Sequence, residues 1–284
     1  MKLIILGSGG ATTIPRPGCQ CKVCCEARVK GIPYARSSAS MYIPDVKILF
    51  DTPEEIAFQL NREEISDIDY IFYSHWHPDH TLGLRIVEKM YKFWLGKFVR
   101  GEKPVKKVKI CALKSVFGDL KEKYGSFLDF YRASDLIETA ELEDGQPFNV
   151  GDYKVIPFEV HGAYVTSTVF SIEVGGKKVI YAPCDAKPFP KDARLKNPNL
   201  LILGDVLPEG PLKEGITIPI DNPLRKELFS MSELLELMER LNVGKVILTH
   251  IEEEWGKSYD DYRVLEKNYG GRICFAYDGM KITV

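Results

Sequence analysis

The chain has 284 residues, of which 45% are hydrophobic and 27% are charged, and its formal net charge at pH 7 is −2. This composition is that of an ordinary globular protein and allows a sizeable core. The small negative net charge gives no overall attraction to nucleic acid or to an anionic membrane. No apolar run is long enough to span a bilayer or to act as a signal peptide, so we expect one domain over residues 1–284, located in the cytoplasm.

The first part of the chain alternates apolar strands with loops. Its first strand runs into the turn Gly7-Ser8-Gly9-Gly10, and a loop rich in Pro, Gly and Cys follows over residues 15–38. β-Branched and aromatic side chains dominate the segment before Ser74, which is typical of a buried strand. We predict strands over residues 2–6, 40–50 and 69–73, and a helix over residues 54–62.

The early loop carries a cluster of cysteines. Of seven cysteines in the chain, four fall between Cys19 and Cys25, and an odd count in a cytoplasmic chain argues against a disulfide framework. Cys19, Cys21 and Cys24 have the C-x-C-x-x-C spacing that suits a structural zinc ion, which normally takes four ligands. Cys25 is then spare. A redox-sensing cluster and unliganded thiols are the alternatives.

Three of the five histidines lie in one short turn directly after the third predicted strand. His75, His77 and His80 fall within six residues, and Asp79 stands beside the last of them. A tight turn at a strand end can direct His75 and His77 to one point and Asp79 and His80 to a second. Imidazole and carboxylate ligands suit zinc, manganese or iron. The alternative is a surface loop that happens to be rich in histidine.

A basic and aromatic segment follows the histidine turn. Residues 91–100 mix Lys and Arg with Phe, Trp and Tyr, and further lysines follow up to Lys109. We favour an amphipathic helix or hairpin that covers the core with a solvated basic face. The alternative is a lid, over residues 91–110, that closes on a phosphorylated or nucleotide-like substrate through its cations and aromatic rings.

The remaining chain predicts alternating strands and helices, with Gly175-Gly176 as a hairpin turn. We predict strands over residues 105–112, 153–160, 167–174, 177–182, 200–204, 245–249, 272–276 and 280–284, and helices over residues 81–91, 115–124, 231–241 and 259–268. This mixture indicates a layered α/β (α+β) structure.

Three further metal-ligating side chains follow predicted strands. His161 and His250 each end an apolar run, and Asp185 comes shortly after another. A single His or Asp at a strand end is usually structural or solvated. Because side chains from separate strand ends often converge on one site in layered folds, we expect these three to join the histidine turn.

The pattern His-x-His-x-Asp-His, followed by a distant His, Asp and His after strands, resembles the metallo-β-lactamase superfamily. The resemblance implies a four-layer αβ/βα sandwich with two active-site metals at one edge, and it places Asp51 as an orienting residue. It assigns His75, His77 and His161 to the first metal, Asp79, His80 and His250 to the second, and Asp185 to both. Asp79 is also expected to orient the nucleophile.

Together with the cysteine loop, this pattern resembles the PhnP-type branch, the phosphoribosyl cyclic phosphate phosphodiesterases. That branch completes its structural zinc with a His where this chain has Glu253, so Glu253 or Cys25 is expected as the fourth ligand. The branch also carries a His near the position of Ser230, which is absent here. A water, a Tyr, a Lys or Arg225 would then protonate the leaving group.

The resemblance implies a metal-dependent phosphodiesterase that cleaves a small cyclic phosphate with a hydroxide held between two metal ions. The alternatives are a tRNA 3′-processing endoribonuclease, a lactonase or thioesterase, and a non-enzymatic accessory or carrier protein of the PqqB type. We expect a small phosphorylated substrate and no membrane partner, with a nucleic acid as the less favoured alternative partner. The oligomeric state, monomer or homodimer, stays open.

Overall fold

The computed structural model describes residues 1–284, which form fourteen strands in two seven-stranded sheets. The strands of the first sheet are β1 (Lys2–Gly7), β2 (Ser40–Ile43), β3 (Ile48–Phe50), β4 (Tyr70–Phe72), β5 (Val108–Leu113), β6 (Ile137–Leu142) and β14 (Met280–Thr283). Those of the second are β7 (Phe148–Val150), β8 (Tyr153–His161), β9 (Thr166–Val174), β10 (Lys177–Ala182), β11 (Leu200–Leu203), β12 (Val246–Leu248) and β13 (Ile273–Phe275).

Each sheet combines an antiparallel part with a parallel part. The first has the order β14-β1-β2-β3-β4-β5-β6 and is parallel from β3 to β6. The second has the order β13-β12-β11-β10-β9-β8-β7 and is parallel from β10 to β13. Because the carboxyl ends of parallel strands share one edge, each parallel part collects its loops at a single edge.

Eight α-helices accompany the two sheets. They are α1 (Lys22–Lys30), α2 (Ile56–Arg62), α3 (Pro78–Thr81), α4 (Ile86–Tyr91), α5 (Trp94–Arg100), α6 (Lys114–Ala133), α7 (Met231–Leu241) and α8 (Tyr259–Asn268). Helices α2, α4 and α6 contribute to the same buried cluster as both sheets, whereas α7 and α8 cover the second sheet. None of these helices has the length and apolar composition needed to cross a bilayer.

The main core lies between the two sheets. Phe50 of the first sheet contacts the rings of Phe170 and Tyr181 of the second, with ring centroids 5.2 Å apart in both pairs. Along β10 the side chains alternate: Val179 and Tyr181 join this core, and Ile180 joins the cluster beneath α7 and α8. A strand that is buried on both faces explains the unbroken apolar run there.

The predicted fold class and four-layer arrangement are confirmed, and most elements agree with the sequence to within a few residues. The helix predicted over residues 115–124 continues to Ala133, the helix predicted over 81–91 is interrupted by a 3-10 turn at Leu82–Arg85, and three further local predictions were wrong. Residues 22–30 form α1 inside the predicted cysteine loop, residues 40–50 form two strands joined by a turn at Pro44–Val46, and β6 and β7 were missed. The turn follows from Pro44, and β6 was missed because Glu138, Thr139 and Glu141 make it look like a loop.

The segment 91–110 contains α5 and the start of β5 rather than a hairpin. Tyr91 is buried in the core, but the aromatic side chains of α5 face solvent, since Trp94 is 62% and Phe98 is 67% exposed. The segment is therefore not simply a cover for the core, and the lid stays a prediction.

Four strand ends carry an unusual backbone conformation. Asp51, Asp185, Asp205 and His250 follow β3, β10, β11 and β12, and their φ angles are 59°, 50°, 55° and 52°. Left-handed conformations of non-glycine residues cost free energy and concentrate at functional sites. Each turn bends the chain sharply at the common edge of the parallel strands.

Gly204 allows two of these turns to approach closely. A Cβ atom there would lie 1.7 Å from the Pro183 carbonyl oxygen and 2.9 Å from the His250 Cβ. We expect Gly204→Ala to lower the free energy of unfolding by about 1–3 kcal/mol, because the backbone must move. Gly118→Ala, in α6 and with no atom near the added Cβ, should instead be stabilising. Denaturant unfolding measures both, and an unchanged Gly204→Ala protein would contradict the packing argument.

Candidate metal centre

The edge at which the parallel strands end collects the predicted ligands. The turn after β4 carries the three clustered histidines, and α3 begins at Pro78 directly after His77. Asp185 arrives from the end of β10, and His250 from the end of β12. The two sheets therefore contribute side chains to one cluster.

The first group of ligand atoms comprises His75, His77 and Asp185. The Asp185 Oδ2 atom lies 3.5 Å from His75 Nε2 and 3.5 Å from His77 Nδ1. These three atoms have the mutual separations expected for ligands of one metal ion.

The second group comprises Asp79, His80 and His250. The Asp79 Oδ2 atom lies 3.2 Å from His80 Nε2 and 3.3 Å from His250 Nε2. The His80 and His250 rings lie parallel, with centroids 5.4 Å apart. His75 is also close to His80, with ring centroids 4.3 Å apart, so the two groups are neighbours.

The buried carboxylate of Asp51 orients this turn. Its Oδ1 accepts the Ser74 backbone N–H at 2.8 Å, and its Oδ2 accepts the Ser74 hydroxyl at 2.8 Å. The same Oδ2 lies 2.8 Å from His80 Nδ1, which therefore carries the proton. With Nδ1 protonated, His80 presents the lone pair of Nε2 to a metal ion, as carboxylate–histidine pairs do in metal sites.

The donor set fits divalent metal ions. The Nε2 atoms of His75 and His80 have no hydrogen-bond partner, although both side chains are fully buried. Burial holds the pKa of His75 well below its usual value, so this ring is neutral and able to donate a lone pair. Burial opposes ionisation of Asp79, but His80 and His250 hold the pKa of its carboxyl well below the usual range. A neutral imidazole beside an ionised carboxylate is a suitable donor pair for zinc or manganese.

Sequence reasoning missed three side chains at this edge. Asp205 follows β11; its Oδ1 lies 3.0 Å from His250 Nδ1, and its Oδ2 accepts the Asp185 backbone N–H at 2.6 Å. Glu252 Oε1 lies 3.4 Å from the same His250 nitrogen, and Cys184 is buried beside Asp185. Asp205 could have been found by the strand-end rule that identified Asp185, because it also follows an apolar strand.

His161 is the one predicted ligand that the structure does not bring to the others. It ends β8, where Val160 points into the core, and alternation along the strand directs His161 outward. Its side chain is 78% exposed, and its Nε2 lies 3.5 Å from Glu159. Its assignment to the first metal remains a prediction from sequence.

The cysteine loop forms a separate group of ligand atoms, the cysteine group, made of Cys19, Cys21, Cys24 and Glu253. Glu253 Oε1 lies 3.4 Å from Cys19 Sγ, 3.2 Å from Cys21 Sγ and 3.2 Å from Cys24 Sγ. Cys25 is exposed, and its thiol donates to the Gln20 carbonyl instead. The arrangement favours Glu253 over Cys25 as the fourth ligand of a structural zinc ion.

Lys213 lies beside the cysteine group. Its ammonium donates to Glu253 Oε1 at 2.6 Å and to Cys19 Sγ at 3.3 Å. Burial would raise the pKa of the Glu253 carboxyl, but Lys213 lowers it to about 2. Three thiolates and a carboxylate would outweigh the charge of one zinc ion, so the ammonium offsets the excess negative charge.

Comparison with known proteins identifies a family and several relatives. Residues 46–251 match the model of the beta-lactamase superfamily domain. An octanoyltransferase of Porphyromonas gingivalis is 26% identical over 168 residues, covering 57% of this chain and 31% of that protein. Ribonuclease Z 1 of Schizosaccharomyces pombe is 23% identical over 266 residues, covering 84% of this chain and 30% of that protein. The chain thus spans less than a third of each curated relative in these matches.

Solved structures share the fold over the whole chain. A diphosphatase of the PhnP family has a TM-score of 0.74 and 20% identity, with coverage of 100% of this chain and 97% of that chain. Zn²⁺-bound PqqB from Methylobacterium extorquens has a TM-score of 0.75 and 18% identity, with 100% of both chains covered. At these identities the similarity establishes the fold.

Replacing Asp51 tests the orientation of the histidine turn. In Asp51→Asn an amide donor would face the Nδ1–H of His80, so we expect affinity for active-site metal to fall about 10–100-fold. Competition with a chromophoric chelator measures the affinity. Asp69→Asn, which changes a half-exposed carboxylate before β4, is the control and should leave the affinity unchanged. An unaltered affinity in folded Asp51→Asn would contradict the proposed orientation.

Replacing Glu253 tests whether this carboxylate is the fourth zinc ligand of the cysteine group. Glu253→Gln keeps the shape of the side chain but removes the anionic oxygen, so we expect the purified protein to contain one zinc ion per chain fewer than wild type. Cys25→Ser should keep the wild-type content. Elemental analysis after dialysis measures both, and zinc lost from Cys25→Ser rather than Glu253→Gln would reverse the assignment.

Proposed function

The chain belongs to the beta-lactamase superfamily, and from that premise we propose that it is a metal-dependent hydrolase that cleaves a phosphodiester bond in a small cyclic phosphate. The observation that carries the proposal is the pair of adjacent ligand groups where parallel strands of both sheets end, His75 with His77 and Asp185, and Asp79 with His80 and His250. A fold that brings two such groups together suits dinuclear hydrolysis.

The residues of the two groups would hold two divalent ions, zinc or manganese, with iron as an alternative. When bound, such ions activate water and neutralise negative charge on phosphoryl oxygens. Asp185 lies 3.5 Å from both histidines of the first group, and the family resemblance makes it the proposed bridging ligand. His161 is proposed as a further ligand of the first ion on sequence grounds alone.

Asp79 has the position and the charge of a residue that orients the nucleophile. Its carboxylate contacts two rings of the second group and is partly accessible, with 13% of its side chain exposed. An ionised carboxylate at the mouth of the site can accept a proton or a hydrogen bond from an attacking water. We propose this role for Asp79 in addition to metal binding.

Side chains beside His77 support an anionic substrate with a flat group. The Trp76 ring lies 4.9 Å from the His77 ring, and the Lys123 ammonium lies 5.4 Å from the Trp76 ring. A cation next to a partly exposed aromatic ring can bind a phosphate and pack against a ribose or a base. Lys123 pairs only with the exposed carboxylate of Glu122, at 2.7 Å, whereas Lys187 and Arg225 donate to backbone carbonyl oxygens.

A substrate screen tests the proposed activity. The purified chain, loaded with zinc or manganese, is assayed against phosphoribosyl cyclic phosphate, 2′,3′-cyclic nucleotides, linear phosphodiesters, lactones, thioesters and a tRNA precursor. We expect the highest kcat/KM on a cyclic phosphate and loss of turnover after chelation. Faster cleavage of the tRNA precursor would assign the ribonuclease function, and turnover restricted to lactones or thioesters would refute phosphodiester hydrolysis.

Point variants test the roles of the ligands. Since each group needs all its donors, we expect His77→Ala and Asp79→Ala to lower kcat/KM by about a thousandfold or more, with the fold intact. Asp69→Asn changes a carboxylate that pairs with Lys106 and contacts neither ligand group nor His161, and it should keep wild-type activity. Circular dichroism checks the fold, and wild-type turnover in either ligand variant would refute the assigned role.

A further inference from the structure

Cys184 is a buried cysteine that does not belong to the apolar core. Its side chain is 6% exposed, yet it is part of neither large hydrophobic cluster, whereas the equally buried Cys111 packs within the core between the sheets. Packing against apolar side chains therefore does not explain why Cys184 is buried.

The thiol of Cys184 lies at the junction of the two ligand groups. Its Sγ lies within 4.8 Å of ligand atoms of His75 and His80. It also lies within 4.8 Å of ligand atoms of Asp205 and His250. It also lies 3.4 Å from Asp185 Oδ2. Ligands of one tetrahedral zinc ion, with Zn–S about 2.3 Å and Zn–N about 2.0 Å, are about 3.5 Å apart, which the 3.4 Å from the thiol to Asp185 Oδ2 matches, and the histidine nitrogens lie within 4.8 Å of the same thiol.

Two buried nitrogens near this thiol point independently to a bound cation. His75 and His80 are fully buried, and the Nε2 atom of each has no hydrogen-bond partner. An unpaired buried imidazole nitrogen is costly unless a metal ion or another donor satisfies it. The thiol and the two nitrogens thus surround the same space.

The backbone holds this thiol in place. The Asp185 N–H donates to Asp205 Oδ2 at 2.6 Å, and the Ser167 hydroxyl donates to the Asp185 carbonyl oxygen at 2.7 Å. On the other side of Cys184, Pro183 lies so close to Gly204 that no Cβ fits between them. A side chain whose backbone is held on both sides is preorganised for metal binding.

We propose that Cys184 is a further metal ligand of this centre, and that its sulfur makes the centre select zinc over manganese. The proposal rests on the metal centre of the proposed function and deepens it by naming the metal class. When the metal–sulfur bond forms, the thiol proton passes to solvent. Thiolate ligands favour zinc, whereas manganese prefers carboxylate, carbonyl and water oxygens, so one sulfur changes the relative affinities.

Metal titration of matched variants tests the proposal. Cys184→Ser and Cys184→Ala are compared with wild type and with Cys274→Ser, a control at the distant strand β13. We expect both Cys184 variants to bind active-site zinc at least about tenfold more weakly, while their manganese affinity changes less than about threefold. Cys274→Ser should retain both wild-type affinities, and thermal unfolding verifies that each variant is folded.

A cobalt spectrum gives a readout that does not depend on affinity. With zinc kept in the cysteine loop, cobalt bound at the active site should give a near-ultraviolet thiolate-to-cobalt band in wild type and Cys274→Ser, and the band should be absent from Cys184→Ser. If wild type binds cobalt but the two spectra are identical and zinc affinity is unchanged, Cys184 is not a ligand although the metal centre stands. If wild type binds no active-site metal, both proposals fail.

Discussion

The contact between Asp51 and the histidine turn is the interaction on which the site depends. A fully buried carboxylate accepts from the Ser74 backbone and hydroxyl and from the His80 ring, so both of its oxygens are hydrogen-bonded. Burying that charge would be unfavourable without these donors. The same bonds fix the path of the chain after β4 and the tautomer of His80, so the fold and the metal chemistry are set by one network.

The parallel parts of the two sheets explain why distant residues meet. Asp51 and the histidine turn follow neighbouring parallel strands of the first sheet, and Asp185, Asp205 and His250 follow neighbouring parallel strands of the second. The left-handed backbone at four of these positions and the buried acids are locally unfavourable. The large core between the sheets, with its Phe and Tyr contacts, provides the stability that holds them.

Hydrogen bonds connect the segment that precedes the cysteine loop with the turn that carries His250 and Glu253. Glu253 lies three residues after His250, and the Gly10 N–H donates to the carbonyl of Ile251 between them. Glu252 accepts the backbone N–H groups of Ala11 and Thr12. A structural zinc ion at the cysteine loop would therefore brace the turn that presents His250.

The sequence by itself determined the fold class, the two ligand motifs and most strands, because these depend on local periodicity and on the close spacing of His75 to His80 and Cys19 to Cys24. Only the tertiary structure brought Glu253 rather than Cys25 to the other three thiols, revealed Asp205 and Cys184 beside the histidines, and left His161 outside the cluster. These outcomes depend on strand order and on which way a side chain points after a sharp turn. Neither is encoded in a short window of sequence, because both arise when strands far apart in the chain pack edge to edge.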